Sequence, residues 1–354
     1  MTRPPRFEVW LFVLLATAPA LAQDTPFTAQ SGSRPLVRPD GTYVFNSVPN
    51  SRLVFEAQIA PRIIILDSIG DAARRLLQAA NNTPVWGWQL SATPMVKLRM
   101  FREVSSPVRT PSYMPKGTVQ FARLKNLSAA DPVEDEDGFS RGPVEMWLAE
   151  VIPFGHHSNG QNGCLFTSQA RDADGDCLEI APPQPRAINK IDGSFSTNYI
   201  EATLHYGRLH LDSEEAPEGE YATRWEWRAG AGFQLNPKGY VGGSIDDELA
   251  ELYGPTRVLF EGMAARRGTW RCGRLQTDIR VQYIHDTPAG VPAATTQAEA
   301  ACFPAGWGGA GLFARFFRGQ DYYNLGFAEG ITRLQLGFTL QRETFLSFRI
   351  RPLG

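Results

Sequence analysis

Residues 221–235 alternate with a period of two. The odd positions Tyr221, Trp225, Trp227, Ala229, Ala231, Phe233 and Leu235 are apolar, while the even ones include Arg224, Glu226, Arg228 and Gln234. That is the period of a β-strand with one apolar and one polar face, and no helix arranges residues this way. The pattern recurs at 275–283 (Leu275, Ile279, Val281 and Tyr283 against Gln276, Asp278, Arg280 and Gln282), at 334–340 (Leu334, Leu336, Phe338, Leu340), and at Trp86, Trp88, Leu90 and Ala92. A soluble β-sandwich alternates as well. Two features favour an antiparallel transmembrane β-barrel: segments of about ten residues, and aromatics gathered near segment ends, where interfacial girdles lie. The chain contains 21 Phe, 10 Tyr, 8 Trp and 33 Gly, yet past its first residues it has no apolar run long enough for a spanning helix. A barrel spans without such a run, because only every second residue faces lipid.

The first 22 residues differ from the rest. Arg3 and Arg6 precede the apolar run Val9 to Leu15, and Ala20-Leu21-Ala22 precedes Gln23. This reads as a secretory signal peptide with an A-x-A cleavage site. Residues 23–50 hold Pro26, Pro35, Pro39 and Pro49 without clear periodicity and read as an irregular periplasmic lead-in, leaving 51–354 as the barrel. The 66–82 stretch places Ala72, Ala73, Leu76, Leu77 and Ala80 at helical spacing. The polar, Gly- and Pro-rich segments 128–142 and 161–193 read as long loops at one barrel mouth. With 35 basic and 37 acidic residues the chain has no nucleic-acid footprint. Cys164, Cys177, Cys272 and Cys302 suit an oxidising compartment. Short spacings suggest Cys164 with Cys177 and Cys272 with Cys302, although three pairings exist.

The stretch with most chemistry is Gly155-His156-His157-Ser158-Asn159-Gly160. A serine becomes a nucleophile beside a base, and that base needs a third group to hold its tautomer. In a strand, residues two apart share a face, which pairs His156 with Ser158 and sends His157 the other way. Val144, Met146, Leu148, Ile152 and Phe154 share that parity, so an unbroken strand predicts a site on the apolar face, with Glu150 its one charged member. The plainer reading is a polar loop at a strand end, where His, Ser, Asn and Gly are common.

Here the residues resemble the outer-membrane phospholipase A family of Gram-negative bacteria. The family's His-x-Ser-Asn-Gly run is matched by His156-His157-Ser158-Asn159-Gly160. A second block looks like Ser194-Phe195-Ser196-Thr197-Asn198-Tyr199, and a third like Ser105-Ser106-Pro107-Val108-Arg109, where Val108 replaces an aromatic. Similarity continues at Asp321-Tyr322-Tyr323-Asn324 and in the strand from Thr332 to Leu340. The resemblance implies an all-β, twelve-stranded antiparallel barrel in the outer membrane, with a Ser158, His156, Asn198 triad on its lipid-facing exterior. It also implies calcium dependence and a homodimer, with calcium held by Ser194, the backbone carbonyl of Gln161, and Ser105 of the partner subunit. The substrate would be a phospholipid. Strand parity independently puts Asn198, Ile200, Ala202, Leu204 and Tyr206 on one face. Between Ser158 and Asn198 lies an insertion of roughly thirty residues relative to the family. Its acidic run Asp172-Ala173-Asp174-Gly175-Asp176 lacks the closing Glu of an EF-hand loop and reads as a solvated turn. Ordinary turn serines are the alternative for Ser105 and Ser194. A passive barrel that has lost its chemistry and a soluble secreted hydrolase are the alternatives for the whole.

Overall fold

A computed structural model describes residues 42–47, 53–78, 83–101, 108–127, 142–180, 187–212, 220–242, 250, 252–269, 272–288, 290–307, 310–340 and 348–349. The signal segment 1–22 and Ser105 lie outside them. Twelve antiparallel strands close into a barrel. They are β1 (Thr42–Ser47), β2 (Leu53–Ile59 continuing as Ile63–Asp67), β3 (Val85–Thr93 continuing as Val96–Phe101), β4 (Val108–Tyr113 continuing as Lys116–Asn126), β5 (Gly142–Ser158), β6 (Ser196–Asp212), β7 (Glu220–Leu235), β8 (Thr256–Thr269), β9 (Cys272–Ile284), β10 (Ala294–Phe303), β11 (Ala310–Gln320) and β12 (Gly330–Leu340). Each pairs with the next, and β1 closes the ring against β12 through Thr42↔Leu340 to Ser47↔Gln335. β1 falls inside the segment expected to be irregular. Its alternation is only six residues long, too short to stand out among the prolines.

The wall inverts a soluble protein. Trp86, Trp88, Phe121, Leu204, Trp227, Phe233, Phe260, Ile279, Leu334, Leu336 and Phe338 are exposed on the outside. Gln89, Arg99, Gln120, Glu226, Arg228, Gln276 and Asp278 are buried within. The alternating segments 225–235, 275–283 and 334–340 keep their expected faces. Inside, charges are paired: Arg99 Nε meets Glu56 Oε2 and its Nη1 meets Asp321 Oδ2, each at 2.5 Å, and Arg315 Nε meets Glu299 Oε1 at 2.6 Å. The predicted helix forms as α1 (Ile69–Gln78), and its apolar face plugs one end of the barrel. Ile69, Ala73 and Leu76 pack there on Ala122, Leu124, Val144, Met146, Leu148 and Leu209.

The long segments 128–142 and 161–193 were expected at one mouth. Residues 128–141 lie outside the described residues; they precede the start of β5, whereas 161–193 follows its other end. The second follows the end bearing His156 and Ser158. There Leu165, Phe166, Phe195, Ala250, Tyr253, Leu325 and Phe327 form the other apolar plug. The expected disulfides Cys164–Cys177 and Cys272–Cys302 are both present.

Candidate active site

Prolines set the level of the site. β2, β3 and β4 are each interrupted at the same height, at Pro61, Pro94 and Pro115, because a proline has no N–H for the ladder. Met114 N donates to Met95 O across one break (2.8 Å), and His156 N donates to Pro115 O across the next (2.9 Å). β5 answers with a bulge. Against β6, Tyr199 pairs with Gly155 but Glu201 pairs with Ile152, so Pro153 and Phe154 together oppose one residue.

That bulge corrects the expectation of one continuous face. Below it the even residues Val144, Met146, Leu148, Glu150 and Ile152 are buried inside the barrel. Above it the parity flips, so His156 and Ser158 face outward while His157 turns in. The apolar run Val144 to Leu148 serves the α1 plug, and Glu150 is a lumenal carboxylate bonded by Gln120 Nε2 at 2.7 Å. His156 and Ser158 share the outer face, on a bulged strand and not on a regular one.

On β6, directly opposite His156, stands Asn198, and Ser196 stands opposite Ser158. Directly opposed side chains in an antiparallel pair lie within contact. His156 Nδ1 and Asn198 Oδ1 are 2.6 Å apart. The amide is oriented from its other end: Asn198 Nδ2 donates to the carbonyls of Tyr240 (2.8 Å) and Val241 (3.3 Å). Because that end must be the NH2, Oδ1 is the end facing the imidazole. His156 Nδ1 therefore carries the proton it donates, and Nε2 keeps the lone pair. Ser158 and His156 are half-buried, whereas Asn198 is buried beneath the Tyr240 turn.

The segment between β5 and β6 has its two ends tied together beside the strands. Asn159, fully buried, donates through Nδ2 to Gly193 O (2.7 Å), Asn324 Oδ1 (2.7 Å) and Gln161 Oε1 (2.9 Å), and its Oδ1 accepts from Phe195 N (3.1 Å). Gly163 and Ser194 close the same neck, Ser194 N donating to Gly163 O at 2.8 Å. Beyond the neck the insertion holds a small hairpin, Gln169–Arg171 with Cys177–Glu179, and an exposed turn in which Asp172 Oδ1 accepts from Asp174 N and Asp176 N. Gly160 has φ 63°, and a Cβ there would meet the Tyr113 ring at 3.0 Å.

His157 belongs to the inner plug. It meets the Phe195 ring edge-on, and its Nδ1 lies 2.8 Å from the Tyr253 hydroxyl. Burial pushes the Tyr253 phenol up, so it keeps its proton.

Of the residues named for calcium, Gln161 and Ser194 are brought to the two sides of the Asn159 neck. Neither the Gln161 carbonyl nor the Ser194 hydroxyl is used in a hydrogen bond among the described residues. Both are neutral oxygens of the kind a hard cation accepts, so they fit one part of a calcium shell but do not make a whole one. Sequence reasoning missed Asn159 as a tie and Tyr240 as a support. Asn159 was visible within the motif, whereas nothing in the sequence marks Tyr240.

The class defined by fold and site is a closed barrel with an outer face suited to hydrocarbon and an outward Ser, His and Asn at one end. The chain is similar in structure to outer membrane phospholipase A from Escherichia coli, at 13% identity, covering 85% of this chain and 92% of that one, with a TM-score of 0.45. It is also similar to the Salmonella typhi outer membrane phospholipase dimer with bound calcium, at 13% identity, covering 90% and 94%, with a TM-score of 0.46. No protein-family model matches the sequence, and no curated protein matches it.

Proposed function

We propose that this protein is a calcium-dependent phospholipase A of a Gram-negative outer membrane, hydrolysing acyl esters of glycerophospholipids and lysophospholipids. The observation that carries the reading is the oriented His156–Asn198 pair beside Ser158, on a face otherwise built for lipid. A soluble enzyme would have little reason to set its nucleophile on a wall whose outer side chains include exposed Trp, Phe and Leu.

In this reading His156 Nε2 takes the Ser158 proton as Oγ attacks the ester carbonyl. The charge formed on the imidazole is met by Asn198 Oδ1. The Gly160 N–H makes no hydrogen bond among the described residues and is the nearest uncommitted backbone donor in sequence for the oxyanion. His156 then protonates the departing lysophospholipid, and water, activated by the same nitrogen, hydrolyses the acyl-Ser158 ester. Gln161 and Ser194 would hold part of a calcium ion whose positive charge favours the oxyanion. The rest of the shell, including Ser105 of the partner subunit, makes a homodimer part of the proposal.

The test compares purified wild type with Ser158→Ala in detergent micelles of phospholipid, measuring released fatty acid with calcium and with chelator. Wild type should release fatty acid only with calcium, and Ser158→Ala should fall by about 10³-fold or more. Equal release by the two proteins would sink the catalytic assignment, and release indifferent to chelator would remove the calcium requirement alone.

A further inference from the structure

Ser158 stands level with one other hydroxyl. Ser196 opposes it directly across the β5–β6 ladder. Opposed side chains of an antiparallel pair share a face and hold their Cβ atoms about 4.5–5.5 Å apart. The next outward pair shows how close such side chains come here, with 2.6 Å between His156 and Asn198. Ser196 therefore projects outward beside the candidate nucleophile. Its backbone is fixed from both sides: Phe195 and Thr197 are buried, Phe195 N donates to Asn159 Oδ1 (3.1 Å), and Asn159 N donates to Phe195 O (3.2 Å). On the opposite flank Ser158 pairs with Tyr113 of β4, whose ring turns toward Gly160.

Ser196 is half-buried, and its hydroxyl makes no hydrogen bond among the described residues. The outward residues further down β6, Ile200, Ala202 and Leu204, are apolar, while Ser194 and the polar neck lie toward the other end. The outer face thus turns from apolar to polar between Ile200 and Ser196. A lipid lying along this wall sets its acyl chains against the first group and its headgroup against the second, which brings its glycerol backbone level with Ser196. An O–H beside lipid without an acceptor is costly, and the oxygens of an acylated glycerol are acceptors.

We infer that Ser196 is a specificity residue, its hydroxyl donating to a glycerol oxygen next to the ester that Ser158 attacks. The inference rests on the proposed hydrolase reading and deepens it. The substrate class becomes esters whose alcohol carries a second oxygen on the neighbouring carbon, as acylglycerols do, and not long-chain esters in general. Ser158 attacks the carbonyl, while Ser196 contacts the alcohol portion.

Release of hexadecanoic acid from dihexadecanoyl phosphatidylcholine and from ethyl hexadecanoate, in the same calcium-containing detergent micelles, is measured for wild type, Ser158→Ala, Ser196→Thr and Ser196→Val. Threonine and valine share a shape that suits an outward strand position, and they differ by the hydroxyl alone. Ser196→Ala serves as a second deletion of the hydroxyl, and heat-modifiable gel mobility checks that each barrel is folded. The ratio of kcat/KM for the phospholipid over that for the ethyl ester should fall about tenfold in Ser196→Val and Ser196→Ala, and stay within about threefold of wild type in Ser196→Thr. Equal ratios in the threonine and valine variants overturn the inference. So does a loss that is the same for both esters, since the hydroxyl then serves Ser158 or the strand and not the glycerol. Ser158→Ala separates the two levels: if it stays fully active, the hydrolase reading fails; if it is dead while the ratios are equal, only the role of Ser196 fails.

Discussion

Asn159 shows how much one amide can hold. Its side chain is fully buried and meets Gly193, Asn324, Gln161 and Phe195, which belong to three different segments of the chain. Asn159→Ala would leave the Gly193 carbonyl and the Phe195 amide without their buried partner. Unpaired buried groups cost roughly 1–3 kcal/mol each. We expect a loss of about 2–3 kcal/mol in denaturant titrations, together with a fall in fatty-acid release larger than the unfolded fraction explains, because Ser158 is the next residue. His157, by contrast, has its ring among Phe195 and Tyr253 in the plug. His157→Phe should therefore leave fatty-acid release within about threefold of wild type, a difference worth under 1 kcal/mol.

At the scale of elements, the insertion is a self-contained excursion whose neck is narrow enough to exclude a side chain. A Cβ on Gly163 would lie 2.4 Å from the Asp192 carbonyl oxygen. Gly163→Ala should part the neck and displace Gln161 and Ser194, lowering release and raising the calcium concentration needed for half-maximal activity. Unchanged calcium dependence would show that the neck does not position those oxygens. The faces of β7, β9 and β12 were legible because unbroken alternation is local, decided by which side of the wall each residue joins. The face of β5 was not, since Pro153 and Phe154 together oppose one residue of β6, and a bulge depends on pairing with neighbours. β1 was hidden for a related reason: its six residues gain their meaning from β12 and β2, which sequence reading cannot supply.

Over the whole molecule, the lumen is held by paired charges. Arg99 bridges Glu56 of β2 and Asp321 after β11, and its guanidinium lies over the Tyr323 ring. Removing it leaves two carboxylates buried near one another. Arg99→Ala should cost about 3–5 kcal/mol, read as a lower urea midpoint for refolded barrel in lipid. Arg99→Met should be no milder, because both acids would lose their nearest cation and keep only the more distant Arg315 and Arg333, at 3.9 and 3.7 Å.

The sequence alone determined the inside and outside of most strands, since a polar lumen and an apolar exterior force a period of two. It also brought His156 and Ser158 to one face, because two-residue spacing does so in any extended segment that bears no bulge between them. Tertiary structure decided which face that is, by placing a bulge where Pro153 cannot donate to the ladder. It put Asn198 opposite His156 across 42 residues, with the neck at Asn159 and Gly163 absorbing the intervening chain. It alone brought Tyr240 and Val241 over Asn198, because that contact depends on how two separate loops fold at one end of the barrel.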